Sequence, residues 1–237
     1  MNDVTAVLLC GGKGERLWPL TESVPKVLTR LDGRPLLFHL MTALARSGIV
    51  RFVICVGYMA VEVERFVAEI SEPSWSVTCV DSGVDASMPD RLLDARAYVT
   101  GRALVCYGDT LANVDLPRLR KEHIARGALA TVTVYPLHSP FGIVRFDSEN
   151  QVTGFDEKPV LPHWINIGYL LCEPRVFDLL KPGSDLPELL SDLVLAGQLY
   201  TFLHAERHVT INTEHDRRVA ESRGIEFITL QMCIRDR

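Results

Sequence analysis

Ala6-Val7-Leu8-Leu9-Cys10-Gly11-Gly12-Lys13-Gly14-Glu15-Arg16-Leu17-Trp18-Pro19-Leu20-Thr21, continued by Val24-Pro25-Lys26, is the stretch that decides the fold. The apolar run Ala6–Leu9 reads as a buried strand. Three glycines within the next few positions let the backbone turn sharply and come close to a ligand. Amide N–H groups of such a turn converge on an anion as a nest, and Arg16 and Lys26 bracket it with positive charge. A polyphosphate suits that combination. The loop is not a P-loop, because no Gly-Lys-Ser/Thr closes it. It is not a dinucleotide fingerprint either, since Gly12-x-Gly14-x-x-Leu17 puts leucine where the third glycine belongs. A nicotinamide-dependent oxidoreductase is excluded on the same ground, and no acid-tipped second strand follows, because Val56 leads into Gly57-Tyr58.

Outward from the loop, apolar runs alternate with amphipathic segments. Strands are expected at Ala6–Leu9, Phe52–Val56, Val77–Val80 and Ala103–Tyr107, with helices near Pro35–Ser47, Ala60–Ile70 and Arg91–Tyr98. This alternation predicts an α/β fold, a Rossmann-like three-layer sandwich with a mostly parallel central sheet. Ligands of such sheets sit at the carboxyl ends of the strands, which places the glycine loop and Asp109 in one crevice. The second half reads as short strands, Ala130–Tyr135, Gly142–Phe146, Val152–Phe155 and Ile165–Leu171, forming a mixed or antiparallel extension. Further helices are expected at Leu116–Ala125, capped by Asp115, at Pro174–Leu180, at Pro187–Ala196 and at Glu214–Ser222, with Asp216 in the first turn of the last. Residues 1–230 read as one domain. The closing Gln231-Met232-Cys233-Ile234-Arg235-Asp236-Arg237 fits no element.

A chain of 237 residues with 47% apolar content can bury a core of its own. A net charge of −5 argues against wholesale nucleic-acid binding, so anionic ligands must be met by local cations. No apolar run reaches the length of a membrane helix, and no charged-then-apolar leader precedes Leu9. The six cysteines show no metal spacing, and most sit in or beside apolar runs. Reduced, buried thiols in a cytoplasmic protein are the simplest account. His39 on a helix and His163 in a loop beside Pro162 read as structural.

The stretch Gly11–Lys26 resembles the opening of the sugar-1-phosphate nucleotidylyltransferases, G-G-x-G-x-R-L-x-P-L-T followed by P-K. Four further segments resemble that family in order: Asp32-Gly33-Arg34-Pro35-Leu36, Tyr107-Gly108-Asp109, Phe155-Asp156-Glu157-Lys158-Pro159 and Asn166-Ile167-Gly168-Tyr169. The resemblance implies transfer of a nucleotidyl group from a nucleoside triphosphate to a sugar-1-phosphate, with pyrophosphate leaving and Mg2+ as cofactor. It implies no nucleic-acid or membrane partner and leaves room for a homo-oligomer. It makes Arg16, Lys26 and Asp109 the catalytic group: Arg16 on the leaving phosphates, Lys26 on the α-phosphate and Asp109 on the metal. Gly11, Gly12, Gly14, Arg91 and Gly108 would line the nucleotide side. Gly142, Asn166 and Gly168 would line the sugar side, with Lys158 on the incoming phosphate and Glu157 on the sugar hydroxyls. Two of the chain's five lysines, Lys26 and Lys158, thus fall on the family pattern.

The family's second metal carboxylate is expected late in the chain, where this sequence reads His208-Val209-Thr210-Ile211-Asn212-Thr213-Glu214-His215-Asp216. One alignment puts Thr210 at the acid and the other puts Asn212 there. Either a neutral oxygen completes the metal site, or the chain is a non-catalytic nucleotide-sugar-binding homologue. Ile54–Tyr58 and Val77–Gly83 resemble the glucose-1-phosphate cytidylyltransferase subgroup. That subgroup's Thr-Gly-Gly-Arg-Leu is replaced by Ser87-Met88-Pro89-Asp90-Arg91-Leu92, so only the last two residues match.

Overall fold

The computed structural model describes residues 1–70 and 72–222. Its main sheet has seven strands: β1 (Val4–Leu9), β2 (Arg51–Val56), β3 (Ser76–Asp81), β4 (Arg102–Tyr107), β5 (Ala130–His138), β6 (Val160–Cys172) and β7 (Leu199–Leu203). They lie in the order β7-β5-β6-β4-β1-β2-β3. β1 pairs in parallel with β2 and β4, as does β2 with β3 and β5 with β7. Only β6 runs against its neighbours.

Alternation along β1 explains the layers. Ala6 and Leu8 join Phe52, Ile54 and Leu104 on the face covered by α1 (Leu36–Arg46), α2 (Ala60–Glu69) and α4 (Leu116–Arg126). Val7 joins Val53, Cys55 and Val105 on the face covered by α3 (Met88–Ala95) and α5 (Leu186–Leu195). Both faces of β1 are therefore dry, as a parallel strand between helix layers requires. Burying a side chain such as Leu8 contributes about 2 kcal/mol. This is the three-layer α/β sandwich expected from the sequence.

The chain runs from β1 outward through β2 and β3, then returns to lay β4 on the other side of β1. Two connections diverge there, which opens a crevice at the carboxyl ends of β1 and β4.

Several boundaries differ from expectation. α3 starts at Met88, three residues before the expected Arg91, because Ser87 and Asp90 form a reciprocal capping box and Pro89 sits in the first turn. Pro174–Leu179 is a 3-10 segment rather than an α-helix. β6 takes in Pro162 and His163, which lie where its pairing with β5 is irregular, so the proline costs no ladder bond. His163, expected in a loop, is therefore a strand residue. A two-stranded pair of Thr110–Ala112 with His208–Thr210 was not anticipated, and it carries part of the site. The tail 231–237, with Cys233, lies outside the described residues.

Candidate active site

The crevice is a cleft of about 710 Å³ walled by the glycine loop, Arg16, Lys26, Tyr107–Asp109 and the segment Val84–Met88 after β3. Gly14 takes φ of +65°, a left-handed conformation that glycine tolerates best. Its carbonyl accepts from the Leu17 N–H at 2.9 Å and the Thr21 hydroxyl at 3.0 Å, which turns the loop into the short helix Glu15–Leu17. A side chain on Gly12 would meet nothing within 4 Å, so this residue borders open space. Gly108 instead admits close packing: a Cβ there would fall 2.9 Å from the Leu9 carbonyl. Arg16 is exposed at the mouth and has no ion-pair partner among the described residues.

The floor is a three-residue contact assembled from distant segments. The Lys26 Nζ lies 2.5 Å from Asp109 Oδ2 and donates to Asn212 Oδ1 at 3.1 Å. Both charged side chains are largely shielded, at 12% and 22% exposure, so the pair is held more firmly than a surface ion pair. The other oxygen of Asp109 accepts from the Thr110 hydroxyl at 3.2 Å, and that hydroxyl meets Thr210 Oγ1 at 3.0 Å. Thr210 therefore steadies Thr110 beside Asp109, while Asn212 is the residue brought to Lys26. Strand register is the cause. Thr210 pairs with Thr110, and the Ile211 N–H donates to the Asp109 carbonyl at 2.9 Å. Asp216 accepts from the N–H groups of Asn212 and Thr213 at 3.0 and 2.8 Å. It lies in the first turn of α6 (Glu214–Ser222), as expected, where it and Thr213 bond one another reciprocally. Asp115 caps α4 through the Arg118 N–H.

Asp109 and the Asn212 amide present hard oxygen donors around a cation, here the Lys26 ammonium, and this donor set fits Mg2+. Among the described residues no group of three or more His, Cys, Asp or Glu could hold a metal, and Asp109 is the carboxylate that meets Lys26.

The sugar-side residues are not gathered in this cleft. Lys158 and Glu157 face one another at 3.8 Å, both about two-thirds exposed, at the end of a hairpin of Ile143–Phe146 with Val152–Asp156. Gly142 lies under Phe155, whose ring atoms would meet an added Cβ at 2.5 Å. Asn166 Oδ1 accepts from the Gly168 N–H at 2.8 Å, and its Nδ2 is 3.5 Å from the Tyr107 hydroxyl. Gly168 has φ of +78° and lies against the Tyr107 ring, where a Cβ would be 2.4 Å away. Tyr107 thus joins the Asn166 turn to the cleft wall. Sequence reading missed its role, although its place at the end of β4 was the available signal. Burial pushes its hydroxyl above the usual tyrosine range.

Four buried thiols and His39 are structural. Burial raises the Cys10 and Cys106 thiols strongly and pushes Cys55 and Cys172 to about 12, so they are inert. The Nε2 of His39 meets the Leu31 carbonyl at 2.8 Å inside the core, as expected of a structural histidine.

The profile of a protein family described as nucleotidyl transferase matches residues 5–197. The chain belongs to that family. A Bacillus subtilis relative named a probable glucose-1-phosphate cytidylyltransferase is 32% identical over 232 residues, covering 88% of this chain and 91% of the relative. A mannose-1-phosphate guanylyltransferase of Mycobacterium tuberculosis is also 32% identical, over 81% of this chain and 56% of its own length. A Bacillus anthracis crystal structure, assigned as a glucose-1-phosphate thymidylyltransferase and holding sucrose, superposes with a TM-score of 0.75 at 20% identity, over 94% and 98% of the two chains. That superposition speaks for the fold. In this nucleotidyl transferase the matched span holds the glycine loop, Lys26, Asp109 and Lys158 but ends before Asn212.

Proposed function

We propose that this nucleotidyl transferase joins a nucleoside triphosphate to a sugar-1-phosphate, giving a nucleoside-diphosphate sugar and pyrophosphate. CTP with glucose-1-phosphate, or a similar hexose-1-phosphate, is the leading substrate pair. One observation carries the reading: the Lys26 ammonium sits between Asp109 and Asn212 beneath an open glycine loop, with Arg16 unpaired at the mouth. A buried cation at the floor and a free guanidinium at the rim suit two ends of a triphosphate.

In the reaction a sugar-phosphate oxygen forms a bond to the α-phosphorus. The bond from that phosphorus to the bridging oxygen breaks, and its electron pair leaves on pyrophosphate. Catalysis of this type rests on positioning and charge neutralisation. Lys26 meets charge at the α-phosphate, and Arg16 binds two oxygens of the departing diphosphate. Lys158 and Glu157, on the exposed hairpin end, receive the sugar phosphate and hydroxyls. Mg2+ held by Asp109 and the Asn212 oxygen supplies further neutralisation of phosphate charge when bound.

CTP is favoured by the likeness to the Bacillus subtilis relative and by Arg91-Leu92, and the guanylyl-transferring relative makes the base the first quantity to measure. Pyrophosphate release from each common nucleotide with a panel of sugar-1-phosphates tests the reading, and silence across the whole matrix defeats it. The amide at Asn212 supports a second reading, a nucleotide-sugar-binding protein without turnover. Calorimetry separates the two: ligand binding indifferent to Mg2+, with no product, selects the binder. The five cysteines among the described residues are free, which supports a reducing, cytoplasmic setting, and among those residues no helix is long and apolar enough to cross a membrane.

A further inference from the structure

The least expected side chain near the cleft is Arg91. It is 5% exposed, yet no carboxylate pairs with it among the described residues. Its guanidinium donates to four backbone carbonyls instead: Val56, Gly11 at 3.3 Å, Gly83 at 2.9 Å and Val84 at 3.3 Å. Those carbonyls lie at or just beyond the carboxyl ends of three successive strands, β1, β2 and β3. A planar fork with several fixed donors can tie three chain segments at once, which a lysine ammonium on a flexible stem cannot.

The glycines around it complete the picture. A Cβ on Gly11 would lie 2.1 Å from Arg91 Nη1 and 2.3 Å from Cζ, and all three of its nearest neighbours would be guanidinium atoms. A Cβ on Gly57 would lie 2.6 Å from the same Nη1. Neither glycine has a positive φ, and at Gly57 the Gly83 carbonyl would lie as close as Nη1, at 2.6 Å, so Gly11 is the glycine whose added side chain would meet the guanidinium alone. The Gly11 carbonyl also accepts from the Tyr58 N–H at 3.1 Å, so the start of the glycine loop is held from two sides. The helix that presents Arg91 is itself fixed by the Ser87–Asp90 capping box, and Asp90 accepts from the Gly183 N–H at 2.8 Å.

We infer that Arg91 is a positioning residue that locks the glycine loop and the Val84–Met88 rim into one preformed nucleotide wall, and that Gly11 is a glycine chiefly to admit its guanidinium. With its donors on carbonyls, Arg91 acts on the triphosphate through the Gly12–Gly14 amides and through an unneutralised buried charge beneath them. A preordered loop spares the nucleotide the entropy of ordering it. The Asn166 turn meets Tyr107 instead, and none of the four carbonyls bonded by Arg91 belongs to that turn or to the hairpin.

The inference rests on the nucleotidyl-transfer reading, and two measurements keep their failures apart. In steady-state kinetics, Arg91→Ala and the volume-conserving Arg91→Met raise KM for the nucleotide by about tenfold or more, while KM for the sugar-1-phosphate moves by less than about twofold. Arg91→Lys does not restore the nucleotide KM, whereas added guanidinium ion restores it in Arg91→Ala. The second measurement is a thermal-midpoint cycle with Gly11→Ala, which needs no activity. Gly11→Ala lowers the midpoint by several degrees in the native background and leaves it unchanged in Arg91→Ala, where the clashing atoms are gone. Equal KM shifts for both substrates, unaltered kinetics in the Arg91 variants, or equal cost of Gly11→Ala in both backgrounds overturns the inference. A wild-type protein without turnover overturns the catalytic reading alone, and the midpoint cycle still decides the Arg91–Gly11 relationship.

Discussion

Lys26 and Asp109, 83 positions apart in sequence, meet at 2.5 Å on the floor of the cleft, with Asn212 accepting a second hydrogen bond from the same ammonium. The lysine is thus aimed by a carboxylate on the neighbouring strand end, and the geometry of one cannot change without the other.

Removing the ammonium should cost reaction rate more than stability. Lys26→Ala is expected to lower turnover by about a hundredfold to a thousandfold, the scale of losing one preorganised charge at a reacting phosphate. Pyrophosphate-release kinetics measure this, with circular dichroism showing an unchanged fold. Turnover within a factor of about three of wild type would remove Lys26 from the reaction.

Restoring an acid at the late segment should strengthen metal binding. Asn212→Asp places a second carboxylate against Lys26 and Asp109, so the Mg2+ concentration for half-maximal rate is expected to fall, by roughly tenfold if the new charge contributes about 1.4 kcal/mol. Calorimetric titration with Mg2+ or Mn2+ gives the same quantity without turnover. Weaker binding in the aspartate variant would show that the site is built for an amide.

Lys158→Ala should leave stability untouched, because an ion pair as exposed as Lys158–Glu157 contributes between nothing and about 1 kcal/mol. Its KM for the sugar-1-phosphate is expected to rise by about tenfold or more, with the nucleotide KM nearly constant. A thermal midpoint lowered by many degrees would instead assign Lys158 to holding the hairpin end together.

Acid should act first on the strand that delivers Asn212. His208 lies against Tyr135, with ring centroids 4.2 Å apart, near His204 and His138, and its buried Nδ1 has no hydrogen-bond partner. Burial, reinforced by the neighbouring histidines, depresses its pKa from 6.5 to about 4. A depressed histidine binds its proton more readily when unfolded, so its stabilising effect is complete above pH 6.5 and is lost as pH falls from there to about 4. His204 is depressed by burial in the same direction. Thermal melts between pH 7 and 4 should show this decline, and His208→Asn should flatten it. An equally steep decline in the variant would place the acid-sensitive group elsewhere.

Legibility in the sequence followed the range of the interactions involved. β1, the glycine loop, α1 and α2 could be read from short patterns, because backbone freedom and side-chain periodicity act within a few residues. The early start of α3 was also local, written in Ser87, Pro89 and Asp90, although Arg91-Leu92 drew the reading three residues too late. β6 was shortened in the reading because Pro162 interrupts its pattern, and only an irregular partner strand makes that proline harmless. Choosing between Thr210 and Asn212 was beyond any local signal, since the choice depends on pairing with a strand about a hundred residues earlier.

By itself the sequence determined an α/β sandwich with a glycine-rich loop after its first strand, because glycine spacing and apolar alternation constrain the chain locally whatever lies across from it. Tertiary structure alone decided that Asn212 faces Lys26, that Lys158 stands exposed beside Glu157 at a hairpin end, and that Arg91 is buried with its donors on backbone carbonyls. Those outcomes depend on strand register and on where a buried guanidinium finds carbonyls, and both arise only when segments far apart in the chain come together.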